Sequence, residues 1–501
     1  MTPHDDSHSD ETAFCLSLFL FFACFYLLFA QGSIQSADGK IMYRLTESMA
    51  ERFSFNIAGP EQTEYSKYGL GMSALALPLY FIGKAVGGAL GIDSAWATTF
   101  FVSLFNAFIT PGVCVFVYLF GVRRLGFSRR TACILSLGFG LSTIAWAYSE
   151  EFMSEPATAL FLIGSAYFVS QTGSEKRSSA LWIAGAFMAI ALTCRIASIM
   201  ALPGFLLFIL WTARPSMLHR LADGARFFVP IIAAALLIGL YNEARFGSFT
   251  ETGYEHGLTP DLWGGLSGLL FSPGKSVFLY NPVLIAACFG LSALFRKRAQ
   301  LAFLLGWIVL SHLMLFSFWH SWYGGLSWGP RLLLCVIPFA VLPAGYLLES
   351  GRAPGRRVLA CIVLGVLIQL PASLVNMSRY HYQMQVQWGG EAERLSVHTL
   401  KHSPLIGQFR QVAEVARNLS DAQAMQQRVE MARAGTRFDS ESVEEALKWG
   451  LAVNAPNVWW YYMRLFGYPA LMTMGPPLAL GILIFYFGFQ LRSRLNADKR
   501  S

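Results

Sequence analysis

Charge is scarce in this sequence: Asp, Glu, Lys and Arg together make up 14% of 501 residues, against 54% hydrophobic ones. A chain so poor in charge cannot cover itself with the polar surface that a soluble globular protein needs, and that class is excluded. Patterned cysteine is missing too. Cys15, Cys24, Cys114, Cys133, Cys194, Cys288, Cys335 and Cys361 all fall inside apolar runs, and no two have CxxC spacing, so neither a disulfide framework nor a zinc site is implied. A basic arm is absent. The net charge of +8 is scattered over short loops, which makes no case for nucleic acid. Internal repeats and low-complexity tracts are likewise missing.

What the chain has instead is hydrophobic runs of about twenty residues from end to end, long enough to cross a bilayer, with a mean hydropathy of +0.46. The first run, 14–30, follows Asp5, Asp6, Asp10 and Glu11 rather than a basic segment, so it reads as a retained span and not a cleaved signal. Six short loops rich in Lys and Arg, at 123–130, 173–179, 213–226, 295–298, 351–357 and 492–500, belong in the cytoplasm by the positive-inside rule. For these loops to share one side, the runs between them must pair. They do, as 131–148 with 156–171, 180–194 with 196–212, 226–242 with 276–295, 300–317 with 331–348, and 357–375 with 467–490.

Three runs, 14–30, 70–90 and 95–120, precede the first basic loop, so with a cytoplasmic N-terminus one of them does not cross. Run 70–90 contains Pro78, Lys84 and several glycines and is expected to lie at the outer interface, amphipathic or re-entrant. The expected fold is an all-α polytopic membrane protein, a bundle of about twelve transmembrane helices (eleven to thirteen). Residues 1–375 form its transmembrane catalytic module, with an external loop at 32–68 and the interfacial segment 70–90. Residues 376–466 form a small external, mostly helical domain, with helical spacing over 408–434 and a capping box near Ser440 to Glu444; 467–501 hold the last span and a basic tail. The expected location is the plasma (inner) membrane, with the active site on the external, periplasmic side.

In a bilayer protein the informative residues are polar groups that connecting loops do not need. Several gather on the expected outer face: Asp38 after the first span, Tyr65-Ser66-Lys67-Tyr68 ahead of run 70–90, Glu150, Glu151 and Glu155 between two spans, Arg195 in "LTCRIAS", and Lys275 in "LLFSPGKSVFLYNP". The stretch "FWHSWYGGLSWGPRLLL", 318–334, adds His320, Tyr323 and Arg331 among three tryptophans and three glycines. Each has an ordinary reading. Asp38 alone is a solvated loop acid, Lys67, Lys275 and Arg331 are snorkelling anchors, Glu150 and Glu151 a wet turn, His320 an interface residue, and the tryptophans an aromatic belt. Arg195 resists such a reading, because an arginine between two apolar runs requires an anionic partner.

Together these residues suit one chemistry. An acid just above the bilayer serves as general base for an acceptor hydroxyl, while fixed cations stabilise a leaving phosphate that stays on its lipid. Phosphate is already a weak base, so it needs charge neutralisation rather than protonation. Aromatic rings and the amides of a glycine-rich loop suit the faces and hydroxyls of a sugar, so 318–331 reads as a pocket wall with Arg331 reaching the phosphate.

In their order and spacing, "SADGKIMYRLTESMAERFSFN", "YSKYGLGMSALALPLY", "FMSEPATALFLIGSAYF", "FSPGKSVFLYNPVLIAACFG", "WYGGLSWGPRLLLCVIPF" and "NAPNVWWYYM" resemble the GT-C class of membrane glycosyltransferases. The likeness is nearest to the protein O-mannosyltransferases and the lipid A aminoarabinose transferase. It implies an inverting transfer of a sugar from a polyprenyl-phosphate donor to an envelope glycan, lipid or protein. On that resemblance Asp38 is the base, Glu155 the second acid that arranges the pocket, Lys67 a donor-side lysine and Arg331 a donor-phosphate arginine. Tyr65, Arg195, Lys275, His320 and Tyr323 complete the candidate substrate-binding set. The chain departs from the pattern in having Lys67-Tyr68-Gly69-Leu70-Gly71 where relatives often have Lys-Pro-Pro, and in lacking an Asp-x-Asp pair. Metal independence and no other cofactor are therefore expected. A transporter or flippase of a lipid-linked sugar is the competing class, but it would show paired repeats and midplane charges, whereas here the charges cluster on one face.

Overall fold

The computed structural model describes residues 3–59, 62–171, 177–213, 216–254, 257–325, 327–419, 456–465 and 467–497. Among them there is no strand, only three isolated bridges, and the architecture is an all-α bundle. Nine helical stretches of the described residues are long and apolar enough to cross a membrane: Ser9–Phe29, Leu70–Leu90, Ser94–Leu125, Arg177–Cys194, Met217–Phe246, Ala299–Ser317, Arg331–Glu349, Arg352–Leu374 and Ala470–Ala497. The chain is a multi-pass membrane protein.

The basic loops collect at one end of the bundle, and acidic residues of the N-terminal helix Pro3–Phe29 hold them there. Asp10 pairs with Arg129 (2.6 Å) and with Arg494, Glu11 with Arg123 (2.5 Å), and Arg177 with Asp223 (2.9 Å). The acidic N-terminal tail thus sits beside the Arg-rich loops. At the opposite end, the side-chain amide of Asn106 donates to the carbonyls of Glu151 (2.6 Å) and Met153 (2.8 Å), which fixes the level of the turn between Ala145–Ser149 and Ser154–Val169.

Leu70–Leu90 is made of two helices, Leu70–Leu75 and Leu77–Leu90, broken ahead of Pro78. Its start lies against the C-terminal tip of Arg177–Cys194, where Cβ atoms on Gly69 or Gly71 would strike the Thr193 backbone. Its end packs on Ser94–Ser103, and both contact the helix Ala37–Arg52: Tyr80 and Lys84 hydrogen-bond Glu51 (2.9 and 2.7 Å), and Tyr43 meets Thr98 (2.7 Å). Leu70–Leu90 therefore contacts Arg177–Cys194 at its start and Ala37–Arg52 farther along. Setting this segment aside, twelve crossings require Arg129–Ser149, Ser154–Val169, Ile196–Thr212 and Val283–Lys297 to cross too. The first is broken into Arg129–Ser142 and Ala145–Ser149, and the other three are short for a ~30 Å hydrocarbon core. Ser154–Val169 is enclosed by protein along most of its length, so it need not match the lipid thickness.

The segment after Leu374 folds over the same end. Helices Met377–Trp388, Ala392–His398 and Pro404–Leu419 pack on the tops of the bundle helices, with Gly274 N–H donating to Val397 O (3.0 Å). Residues 456–465 dock on the end of the first helix. The indole N–H groups of Trp459 and Trp460 donate to Leu27 O (2.8 Å) and Leu28 O (2.9 Å), satisfying carbonyls that a helix end leaves without partners. The helical spacing expected over 408–434 is realised up to Leu419; the rest of it, and the capping box at Ser440 to Glu444, lie outside the described residues.

Candidate functional site

Asp38 stands in the first turn of Ala37–Arg52, whose cap is Ser36: the Ser36 hydroxyl accepts from Gly39 N–H (3.2 Å). A helix N-terminus favours a carboxylate. Gly39 allows this turn to press on the 149–155 turn, since a Cβ there would come within 2.8 Å of Phe152 O. Across the cleft, Arg331 Nη1 lies 2.7 Å from Asp38 Oδ2. The acid expected as base and the cation expected at the phosphate thus form an ion pair with each other. Burial opposes ionisation of Asp38, but Arg331, a hydrogen bond from Tyr68 and the charge of Lys67 outweigh it and hold its pKa below the usual carboxylate value.

Beneath lies a second pair. Arg195, at the tight connection after Arg177–Cys194, brings Nη1 to 2.7 Å from Oε1 of Glu155, which is 1% exposed. Arg195 also reaches the Ser154 hydroxyl (3.4 Å) and sits 5.8 Å from the centroid of Phe316. The two pairs share a field: Glu155 acts on Arg331 and Tyr254 as well. The arginine that sequence patterning could not place on a loop finds its anion here.

Residues not singled out as candidates complete the cleft. Tyr68 and Tyr254 meet edge to face (6.5 Å between centroids), and Tyr254 meets Trp319 likewise (5.6 Å), making an aromatic row beside Asp38. The loop holding Trp319 is pinned by Thr259 N–H to Phe318 O (2.6 Å) and His320 N–H to Gly257 O (3.2 Å). Gly324, Gly325 and Gly329 all have positive φ, the shaped loop expected of this stretch. Its three tryptophans do different things. Trp319 joins the aromatic row, Trp322 packs over Gly268 and His398, and Trp328 is 2% exposed with its indole N–H on Gln369 (2.9 Å).

The wet-turn reading of Glu150 and Glu151 is corrected by the structure. Glu150 is 1% exposed, turned inward toward Gln31 and Ser373, and burial drives its pKa well above the ordinary value. Glu151 is pushed up to about 7 by burial, against Gln31, Ser36 and Arg331, which favour its ionised form. Sign follows from the direction: the unfolded carboxyl ionises near 4.5, the folded one near 7, so stability is full below pH 4.5 and is lost as pH rises toward 7. Glu151→Gln is therefore expected to match wild type in Tm below about pH 4.5 and to exceed it above pH 7, where the gain in unfolding free energy reaches up to ~3 kcal/mol. Parallel Tm–pH curves for the two proteins would show that Glu151 carries no such cost.

Other candidates lie apart from the paired centre. Lys67 is exposed, 5.8 Å from the Tyr68 ring centroid, with its charge acting on Asp38. Tyr65 bridges Asn56 through the backbone and packs on Phe246, and His320 is exposed. Tyr323 hydrogen-bonds Glu393. Lys275, expected among the substrate contacts, is 2% exposed and donates to Gly325 O (2.9 Å), Ser327 O (2.7 Å) and Ser327 Oγ (3.0 Å), so no N–H of its ammonium remains for a ligand. Glu155, expected as the second acid that arranges the pocket, is 1% exposed and paired with Arg195, and its charge also reaches Arg331 and Tyr254. Among the described residues, no group of three His, Cys, Asp or Glu side chains is placed to hold a metal ion.

Comparison with known proteins bears on the fold. A family model described as dolichyl-phosphate-mannose-protein mannosyltransferase matches residues 89–239. Among curated proteins, none matches the sequence. The crystal structure of ArnT from Cupriavidus metallidurans bound to undecaprenyl phosphate superposes with a TM-score of 0.52 at 12% identity, covering 94% of this chain and 76% of that one. The apo state of the same protein gives a TM-score of 0.51 at 13% identity, covering 97% and 78%. The fold of this chain is that of the GT-C class of membrane glycosyltransferases. Within that class its architecture is ArnT-like.

Proposed function

We propose that this protein is an inverting glycosyltransferase that moves a sugar from a polyprenyl-phosphate-sugar donor to an envelope glycan, lipid or protein acceptor on the outer side of the membrane. The observation that carries the reading is the 2.7 Å pair of Asp38 and Arg331 at the rim of an aromatic cleft. It is supported by the mannosyltransferase match over 89–239 and by an ArnT-like fold, whose solved counterpart holds undecaprenyl phosphate.

In this reading the donor phosphate competes with Asp38 for the Arg331 guanidinium. Once Arg331 turns to the phosphate, an Asp38 oxygen is free to accept the proton of the acceptor hydroxyl. The acceptor oxygen bonds to the anomeric carbon as the bond from that carbon to phosphate oxygen breaks, and the electron pair leaves on the phosphate. Arg331, with Lys67 nearby, offsets the added charge, so the leaving group needs no proton. Tyr68, Tyr254 and Trp319 face the sugar. Metal independence and the absence of any other cofactor are part of the proposal.

The test is release of free polyprenyl phosphate by purified protein from a panel of polyprenyl-phosphate sugars, with envelope extract as acceptor and with or without EDTA. Release from one donor, unchanged by EDTA, is the expected result. If no donor is consumed while a fluorescent lipid-linked sugar still changes leaflets in proteoliposomes, the protein is a transporter and the reading falls.

A further inference from the structure

Lys275 is a buried amino group whose pKa burial and the charge of Arg331 push well below the ordinary value, with only the charge of Glu393 acting against them. It lies in the turn between Leu262–Phe271 and Val277–Tyr280, which is shaped by Lys275 N–H donating to Ser272 Oγ (3.1 Å) and Gly274 N–H to Val397 O (3.0 Å). Among the described residues no salt bridge reaches its side-chain nitrogen, which is held by three oxygens: Gly325 O, Ser327 O and Ser327 Oγ. Burying an ammonium in this way carries a desolvation cost that carbonyl dipoles only partly offset. His381 packs close by with both ring nitrogens buried and without hydrogen-bond partners. Burial and the neighbouring Lys275 push its pKa down to about 3, so it stays neutral and adds no second positive charge beside Lys275.

What the ammonium grips leads directly to the site. After Ser327 come Trp328, tied by Tyr148 O–H to its carbonyl (2.9 Å) and by its indole to Gln369, and Gly329, whose φ of +57° and close approach to the Tyr280 ring admit no side chain. Arg331 N–H then closes the turn on Gly329 O (3.1 Å). A run of fixed contacts joins Lys275 to the 325–329 loop, to Arg331 and to Asp38.

We propose that Lys275 is a positioning residue for the transfer reaction: by holding Gly325 and Ser327 it sets 327–331 so that the Arg331 guanidinium faces Asp38 and the donor phosphate, without touching the donor itself. The donor half rests on the function proposed above. The loop half does not.

Two measurements on full-length protein separate these halves. In the absence of ligand, the Tm loss caused by Arg331→Met is measured in wild type and in Lys275→Met. With Arg331 no longer aimed at Asp38, that loss is expected to shrink by about half or more in the second background. Equal losses in both backgrounds would overturn the positioning role. If Lys275→Met does not fold, Ser327→Ala, which removes only one acceptor, replaces it, and the same comparison decides.

In the second measurement, undecaprenyl phosphate binding is read by tryptophan fluorescence in wild type, Lys275→Met, Arg331→Lys and the double variant. Each single change is expected to weaken binding about tenfold, and the double variant to bind no worse than Arg331→Lys alone. Multiplied losses would mean that Lys275 meets the ligand independently and would overturn the proposal. Should wild type bind no undecaprenyl phosphate, the proposed function fails while the ligand-free comparison still decides the role of Lys275.

Discussion

Asp38→Asn is expected to lower release of polyprenyl phosphate by about 10²–10⁴-fold while donor affinity rises. The first half follows from the loss of a carboxylate that is paired with Arg331 yet still partly exposed, at 26%. An amide of the same shape cannot take the acceptor proton. The second half follows from competition. In the ligand-free site Asp38 occupies Arg331 at 2.7 Å, so a donor phosphate must first displace it, and removing the negative charge removes that contest. A lower donor Kd together with a collapsed turnover rate would be hard to obtain from a merely damaged fold. Wild-type turnover in this variant would take Asp38 out of the reaction. Unchanged affinity with lost turnover would keep the base and refute the competition.

Because Arg331 holds the Asp38 pKa low, the same carboxylate stays ionised through the neutral range and sets no limb of the pH profile there. Glu151, by contrast, is pushed up to about 7 by burial. The sequence "AYSEEFMSEP" looks like an ordinary polar turn, because hydropathy reports which residues prefer water and not whether a turn folds inward. Here Asn106 holds the turn by its backbone carbonyls, and Glu150 is carried beneath it against Gln31 and Ser373. Nothing local to 149–155 encodes that; it depends on helices from three other parts of the chain.

The legible parts of the site were those with a local cost. An arginine flanked by apolar runs, an acid just past a span and a glycine-rich aromatic loop each violate what a membrane helix or short loop requires, so Arg195, Asp38 and 318–331 stood out. Their pairing was not legible. Asp38 with Arg331 and Glu155 with Arg195 are long-range contacts, and periodicity within a helix says nothing about which helix tips converge. Lys275 shows the opposite error. A lysine at a span entrance looks available to a ligand, and only the loop wrapped around its ammonium shows that it is not. Tyr68 and Tyr254 were hidden by type, since tyrosines at a membrane interface are common and carry no cost.

The second large effect concerns the buried pair. Arg195→Met leaves Glu155, 1% exposed, with a carboxylate and no cation, and Glu155→Gln leaves Arg195 without its anion. Breaking a buried ion pair from one side costs about 3–5 kcal/mol, whereas replacing both partners by apolar groups of similar size is close to neutral or stabilising. Each single variant is therefore expected to show a large fall in Tm, and Arg195→Met with Glu155→Met together to recover most of it. Turnover separates a structural pair from a functional one. Arg195 and Glu155 lie directly beneath Arg331 and Tyr254 and set the field those groups feel. If that field matters, the double variant regains its Tm but not its rate of lipid-phosphate release. Recovery of both would make the pair a fastener for the tip of Arg177–Cys194 against Ser154–Val169 and remove Glu155 from the reaction. Small losses in the single variants would mean that water reaches the pair, since only exclusion of solvent makes an unpaired charge this expensive.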